Sequence, residues 1–246
     1  MIRIVSFGTV IWFIACGGIV HAGTPLPLEK VCTADDLVAE VSAKLAELQP
    51  WLESADAYKE NGDKLRNSLS LMAILGQALA EHPQDSKMKS AGPAIRDAAM
   101  SLARAKSLDE AQAAWKSLES AAKGQPAGEH AVEYDWAKLA RMHPAMEEMN
   151  ARAAQLRRVL RRPKDPAADS RHALSIALLA VATYADTHEV KNPADTPKWR
   201  EYAAALQEHM SASGRALQAK DTMQANKEFL AGMETCTQCH DAFKKR

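Results

Sequence analysis

The spacing of apolar residues is the feature that most limits how this chain can fold. From Thr33 onward, apolar residues recur every three or four positions. One uninterrupted run consists of Leu139, Met142, Met146, Met149, Ala153, Leu156 and Leu160. Such steps align side chains along one face of an α-helix. Because aromatic residues make up only 5% of the chain and helix-favouring residues are abundant, we predict an all-α fold.

The sequence also repeats itself. Shifted by 105 positions, residues 66–74 (RNSLSLMAI) align with residues 171–179 (RHALSIALL). Shifted by 112 positions, residues 111–113 align with residues 223–225, and Leu118 aligns with Leu230. Two matches in the same order indicate a duplication, and helices joined by short loops pack antiparallel. We therefore predict two tandem antiparallel four-helix bundles.

Each copy is predicted to contain four helices, with a break between copies at the glycines of residues 124–128. The helices are predicted near residues 33–54, 60–82, 92–106 and 108–123, and near residues 131–161, 167–187, 197–218 and 221–245. The predicted domains are a signal peptide at residues 1–22, a bundle at residues 23–125 and a second bundle at residues 126–246.

The N-terminus has the composition of an export signal. Residues 1–3 are a short positive start, residues 4–19 are mostly apolar, and residues 20–22 (VHA) end in a small residue. This order predicts a secretory signal peptide removed after Ala22, a periplasmic protein and no transmembrane span after removal. Two alternatives stay open, a lipoprotein modified at Cys16 and an uncleaved N-terminal anchor.

The charge balance bears on partners. Lys and Arg together number 31, as do Asp and Glu, so the formal net charge is zero. A neutral chain gives no reason to expect nucleic acid or an anionic membrane as its partner.

The C-terminus carries a cysteine motif. Cys236-Thr-Gln-Cys239-His240 has the C-x-x-C-H pattern of covalent haem c attachment. On a helix these three side chains fall within an arc of roughly 100°, so two thiols can bind the vinyl groups of one porphyrin while the imidazole faces the iron. A zinc site would need two more ligands, and a thioredoxin-type pair expects a βαβ unit. Cys32 is then an odd thiol, either unpaired on a mobile N-terminal segment or in an intermolecular disulfide.

The motif and its position resemble those of class II cytochromes c, the cytochrome c-prime family, over the second copy. That family places C-x-x-C-H-x-x-aromatic-basic on its last helix, and this chain has Phe243 and Lys244 in the last two places, although arginine is the commoner basic residue. The resemblance implies a four-helix bundle holding one covalent haem c, with His240 as the proximal iron ligand. Met233 and Phe243 lie on the same helix stripe as the motif and are predicted to pack against the haem.

Residues 146–150 (MEEMN) resemble the first helix of four-helix-bundle cytochromes whose methionine is the sixth iron ligand. The resemblance implies Met146 as distal ligand, with Met142 as the next candidate and Met149 packing in the haem pocket. A methionine stripe also suits ordinary core packing, and that alternative stays open. Under the two offsets Val41 replaces Met146, and Gly124 and Gly128 replace Cys236 and His240, so the first copy is predicted to bind no haem.

The predicted activity is one-electron transfer with an unidentified redox partner protein, by a chain that is not an enzyme and could pair as a homodimer. The alternative is a gas-binding protein with five-coordinate iron, which binds NO or CO. Peroxidase chemistry would require a distal acid–base residue, for which His143 is the candidate. A fourth possibility is that the haem only stabilises the fold of an interaction module.

Overall fold

A computed structural model describes residues 23–244, so the predicted signal peptide and Cys16 lie outside the described residues. Within residues 23–244 the fold is entirely helical, which confirms the all-α prediction. The α-helices are α1 (Ala34–Leu48), α2 (Ala55–Glu60), α3 (Gly62–Glu81), α4 (Gly92–Leu102), α5 (Leu108–Ala122), α6 (Met142–Arg161), α7 (Pro166–Ala185), α8 (Thr196–Gln218) and α9 (Thr222–Phe243). None of these helices is long and apolar enough to cross a membrane.

The long helices pack in two groups that follow the chain. Helices α1, α3, α4 and α5 form the first group, and helices α6, α7, α8 and α9 form the second. The short helix α2 and the 3-10 turn Gln49–Leu52 lie beside the first group, and this turn touches both α1 and α5. Contacts of α3 with α6 and α7 join the groups, and one continuous apolar core runs through both. The predicted boundary at residues 125–126 therefore separates two sets of helices that share a core.

Two prolines account for the clearest differences from the predicted helix boundaries. The first helix was expected to reach residue 54 but ends at Leu48, because Pro50 cannot donate the next helical hydrogen bond. Helix α6 was expected to begin near residue 131 but begins at Met142, with Pro144 in its first turn. Proline is tolerated there and would break a helix that had begun earlier. Leu139 is buried but lies just before the helix to which its spacing assigned it.

Burial patterns give a different match between the last helices of the two groups. Helix α5 buries Ala111, Trp115, Leu118 and Ala121, whereas helix α9 buries Ala225, Phe229, Gly232 and Thr235, each 114 positions later. The N-cap residues Ser107 and Asp221 have the same separation. The predicted offset of 112 is therefore wrong for this helix, and it paired buried Leu118 with Leu230, which is 57% exposed.

The first helices of the groups match at a separation of 108 positions, shown by their N-caps Thr33 and Arg141 and by the buried Val41 and Met149. At that separation Met146 corresponds to Val38 rather than Val41. When α5 and α9 are aligned by their buried residues, 114 positions apart, Ala122 and Pro126 correspond to Cys236 and His240. The first group still lacks the motif under the corrected match.

Charged residues that correspond by this match meet between α1 and α6. Glu40 and Lys44 on α1 correspond to Glu148 and Arg152 on α6, and all four are buried. Arg152 Nη2 lies 2.5 Å from Glu40 Oε1, and Lys44 Nζ lies 2.7 Å from Glu148 Oε1. Each acid thus pairs with the cation of the other group. We call these four residues the interhelix charge cluster.

Candidate functional site

Helix α9 places the cysteine motif in its last two turns. Its N-terminus is capped by Asp221, whose carboxylate accepts a hydrogen bond from the Gln224 backbone N–H at 2.9 Å. Cys236 and Cys239 are half-buried, and His240, one residue on, is exposed. Cys236 also packs against the apolar core. The three side chains that the motif predicts to act together therefore share one end of the second group, with the thiols turned inward and the imidazole at the surface.

Burial strengthens the preference of both thiols for the protonated form. It raises the pKa of Cys236 to about 11, and burial together with the neighbouring Cys236 raises the pKa of Cys239 to about 11. Both groups are therefore neutral thiols at pH 7. A catalytic C-x-x-C redox pair has the opposite property, a pKa lowered toward or below neutrality. This environment argues against a thioredoxin-type function for the pair.

An aromatic cluster holds the end of α9. Phe243 packs edge-on against Trp199 at a ring separation of 5.2 Å and against Tyr202 at 6.4 Å. The Trp199 indole N–H in turn donates a hydrogen bond to the Thr183 backbone carbonyl at 2.8 Å. Helices α7, α8 and α9 are thereby connected through one set of side chains. Phe243, the residue predicted to pack against a haem, therefore also restricts the helix turn that carries His240.

His240 borders an open cleft. Its lining comes from His240, Asp241, Ala242, Phe243 and Lys244 on one side and from Glu189, Lys191, Asn192 and Asp195 of the α7–α8 connection on the other. The cleft has a volume of about 620 Å³. Small-molecule and cofactor sites are clefts of about 300–1,000 Å³, so this space is of cofactor size. Lys244, which the motif pattern predicts as a haem-pocket residue, is exposed at the rim of the cleft.

The methionines on α6 differ in burial. Met149 is 6% exposed and belongs to the core, whereas Met142 and Met146 are half-buried. Met233 on α9 is also half-buried and packs against the core. Of the predicted ligand residues only His240 lines the cleft, whereas Cys236, Cys239 and Met146 do not.

The register between α6 and α9 nevertheless relates Met146 to His240. The Arg157 guanidinium lies 5.6 Å from the centre of the Phe229 ring, which shows where the two helices face each other. Met146 is 11 residues before Arg157, and His240 is 11 residues after Phe229. Eleven residues are about three whole turns, so each pair lies on one face, roughly 16 Å apart along its helix. Because successive helices of the second group alternate in direction, Met146 near the start of α6 and His240 near the end of α9 lie at the same end of the group.

Helices α6 and α9 also approach each other least among the neighbouring helices of the second group. In the first group the turn Gln49–Leu52 contacts both α1 and α5, and the Gln112 side chain donates a hydrogen bond to the Leu52 carbonyl at 2.9 Å. The two half-buried thiols and the exposed imidazole at one end of α9 are the donor set that a covalently attached haem requires, so these residues fit the group.

Cys32 differs from its prediction. It is 8% exposed and belongs to the core, and its backbone carbonyl accepts a hydrogen bond from His82 Nε2 at 3.0 Å. Burial raises the pKa of its thiol further than that of the motif cysteines. The expected position on a mobile segment is therefore wrong, and a thiol enclosed in this way cannot reach a second chain without local unfolding.

The interhelix charge cluster is the feature that the sequence interpretation missed. Glu148 and Arg152 are four residues apart on α6 and border the buried positions Met149 and Ala153. A charged pair at helical spacing beside an apolar stripe was a pattern available in the sequence. Among residues 23–244, no group of three or more His, Cys, Asp or Glu side chains could hold a metal ion. No protein-family model, curated protein or solved structure matches the chain.

Proposed function

We propose that this chain is an exported c-type cytochrome that carries one covalently attached haem and transfers one electron at a time. The observation that supports this most directly is the arrangement on α9, two neutral, half-buried thiols followed by an imidazole at the edge of a cofactor-sized cleft. When bound, the haem supplies the one-electron couple of its iron.

The residues of α9 divide the binding task. Cys236 and Cys239 would hold the porphyrin through two thioether bonds, with each thiol proton passing to the vinyl group to which its sulfur adds. His240 would be the proximal ligand. Phe243, packed on Trp199, restricts the motion of the last helical turn and therefore the position of the imidazole.

Met146 would be the sixth ligand. Its position near the start of α6, at the same end of the second group as His240, supports this role. A site with two protein ligands keeps its coordination in both oxidation states, so little of the protein has to rearrange during electron transfer. A thioether ligand also favours a higher reduction potential than a second imidazole does.

Covalent attachment is tested first. The full chain is produced in a host that exports proteins and attaches haem c, and denatured protein is examined for haem that stays with the polypeptide. We expect retention in the unaltered protein and in Cys32→Ser, and loss in the double variant Cys236→Ser/Cys239→Ser. The Cys32 variant is the matched control, because it removes a buried thiol that lies outside the motif. Unaltered protein that releases all of its haem on denaturation would refute the proposal.

The sixth ligand is tested by absorption spectra of both oxidation states with and without CO. We expect a low-spin spectrum that does not respond to CO, and conversion to a high-spin, CO-binding form in Met146→Ala. Met100→Ala is the control, because Met100 is a half-buried methionine of the first group, which lacks the motif, and its loss should leave the spectrum unchanged. An unchanged spectrum in Met146→Ala would remove Met146 from the account.

The alternative function, binding of NO or CO at five-coordinate iron, has one observation in its favour. The cleft that His240 borders is lined from the α7–α8 connection, without Met146. A high-spin spectrum of the unaltered protein that shifts on addition of CO would favour this function over electron transfer.

A further inference from the structure

The end of the second group opposite His240 carries a concentrated positive charge. Five cations occur within eight residues where α6 ends and the chain turns into α7, namely Arg157, Arg158, Arg161, Arg162 and Lys164, and all five are exposed. The four arginines fall within an arc of about 140° on the helix. We call these five residues the basic face. The zero net charge of the chain conceals this local excess.

Nearby acids do not pair with the basic face. Within the described residues, Arg158, Arg161, Arg162 and Lys164 form no salt bridge. The Asp165 carboxylate accepts hydrogen bonds from the backbone N–H groups of Ala167 and Ala168. The Asp169 carboxylate accepts bonds from the backbone N–H groups of Lys164 and Asp165. Both acids are thus engaged at the start of α7, where the helix dipole offsets their charge.

The chain enters the structure at this same end. The pairs Glu40–Arg152 and Lys44–Glu148 show that α1 and α6 run antiparallel, so the start of α1 lies beside the end of α6. Two contacts from the end of α8 agree with this placement. Arg215 donates to the Lys30 carbonyl at 2.7 Å, and the Gln218 side chain donates to Asp36 at 2.9 Å. The start of α1 therefore lies at the end of the molecule that carries the basic face.

We propose that the basic face docks on a membrane surface rich in anionic phospholipid. Clustered Lys and Arg side chains are attracted to such surfaces by about 1 kcal/mol each. Helix α6 is about 30 Å long, so docking directs the His240 cleft away from the lipid, toward partners in the aqueous compartment. This inference does not depend on haem attachment.

Vesicle binding tests the proposal. The full chain is mixed with vesicles of phosphatidylglycerol and phosphatidylcholine in equal parts, or of phosphatidylcholine alone, and the bound fraction is measured by sedimentation. The test variant is Arg158→Gln/Arg161→Gln/Arg162→Gln. Arg157 is left in place because it also packs on Phe229. The control is Arg104→Gln/Lys106→Gln/Lys116→Gln, which removes three exposed cations from the first group.

We expect the unaltered protein and the control variant to prefer anionic vesicles and to lose that preference as salt is raised. The test variant should bind anionic vesicles on the order of 100-fold more weakly, from about 1 kcal/mol for each arginine. Its far-ultraviolet circular dichroism should match that of the unaltered protein. Equal binding to both vesicle types would overturn the proposal, and so would an equal loss in the control variant. Arginine-dependent binding that is tighter to DNA than to vesicles would indicate a nucleic-acid surface instead.

Discussion

Replacement of Arg152 by leucine tests whether the interhelix charge cluster holds the two groups together. Arg152 lies between two acids, with Nη2 at 2.5 Å from Glu40 and Nε at 2.9 Å from Glu148. Its side chain is only 9% exposed, and both acids are about equally buried. Glu148 would keep Lys44 at 2.7 Å, but Glu40 would keep only Arg171, 3.4 Å from its second oxygen and outside hydrogen-bonding geometry.

The expected loss of stability follows from this difference, because Glu40 would be left with a weaker partner than Glu148. Removing one partner of a buried ion pair costs about 3–5 kcal/mol, because the remaining charge stays out of water without compensation. Replacing both partners with apolar residues is often close to neutral. Arg152→Leu should therefore lower the free energy of unfolding by about 3–5 kcal/mol, and Glu40→Leu/Arg152→Leu should recover most of that loss.

The pH dependence gives a second prediction for the same variant. Burial raises the pKa of Glu40, and Arg152 is the first of the cations that oppose this effect. Without Arg152, the pKa of Glu40 rises further. A carboxyl whose folded pKa lies above its unfolded value adds stability at low pH, and that stability is lost as pH rises through the folded pKa. The destabilisation by Arg152→Leu should therefore shrink as pH falls through the raised pKa of Glu40 toward the ordinary carboxyl value.

The measurement is urea unfolding followed by circular dichroism at neutral and acidic pH. Arg158→Leu is the matched control, because Arg158 is an exposed arginine on the same helix, and its loss should change stability by no more than about 0.5 kcal/mol. A cost below about 1 kcal/mol for Arg152→Leu would refute the reasoning, and so would a double variant as unstable as the single one.

Three further predictions concern other parts of the fold. Gly76→Ala should lower the free energy of unfolding in urea by at least about 2 kcal/mol, because the added Cβ would lie 2.4 Å from a backbone nitrogen of α4. Gly214→Ala should cost less, because its Cβ would meet a leucine methyl at 2.6 Å, and a side chain can move. His172 has its pKa lowered to about 4, first by burial, so its NMR resonances should not titrate between about pH 5 and 8. Because that pKa lies below the ordinary 6.5, the buried neutral imidazole contributes stability that is lost as pH falls from 6.5 to about 4. In His172→Gln the free energy of unfolding should therefore depend less on pH across that range. Cys32 should resist maleimide labelling until the protein is unfolded, and rapid labelling of the native state would contradict its burial.

The sequence predicted the helices well because their apolar spacing is regular and their ends carry strong local determinants. Helix α7 was expected at residues 167–187 and lies at Pro166–Ala185, where Asp165 caps it. Helix α9 was expected at residues 221–245 and is described as Thr222–Phe243. The errors arose where a proline acts on its neighbours. Pro50 and Pro144 restrict backbone geometry in ways that apolar spacing does not show.

The alignment of the two copies by sequence was less reliable than the prediction of helices from apolar spacing. The offset of 112 depended on similar letters such as Leu118 and Leu230, although one is buried and the other exposed. Burial depends on which helices pack together, and that information is absent from a letter comparison. The same limit explains Cys32, whose enclosure depends on His82 and the end of α3, fifty positions away.

Helix α6 connects the separate features of the molecule because its sides have different neighbours. Glu148 and Arg152 face the first group, and Met149 and Leu156 face the shared core. Arg157 is directed toward α9, and Met146 lies on the same face of α6 as Arg157. Since α6 and α9 approach each other little, the position of α6 is determined mainly by α7 and by the first group. The group without the motif therefore has a physical role. It supports the helix whose far side stands opposite His240.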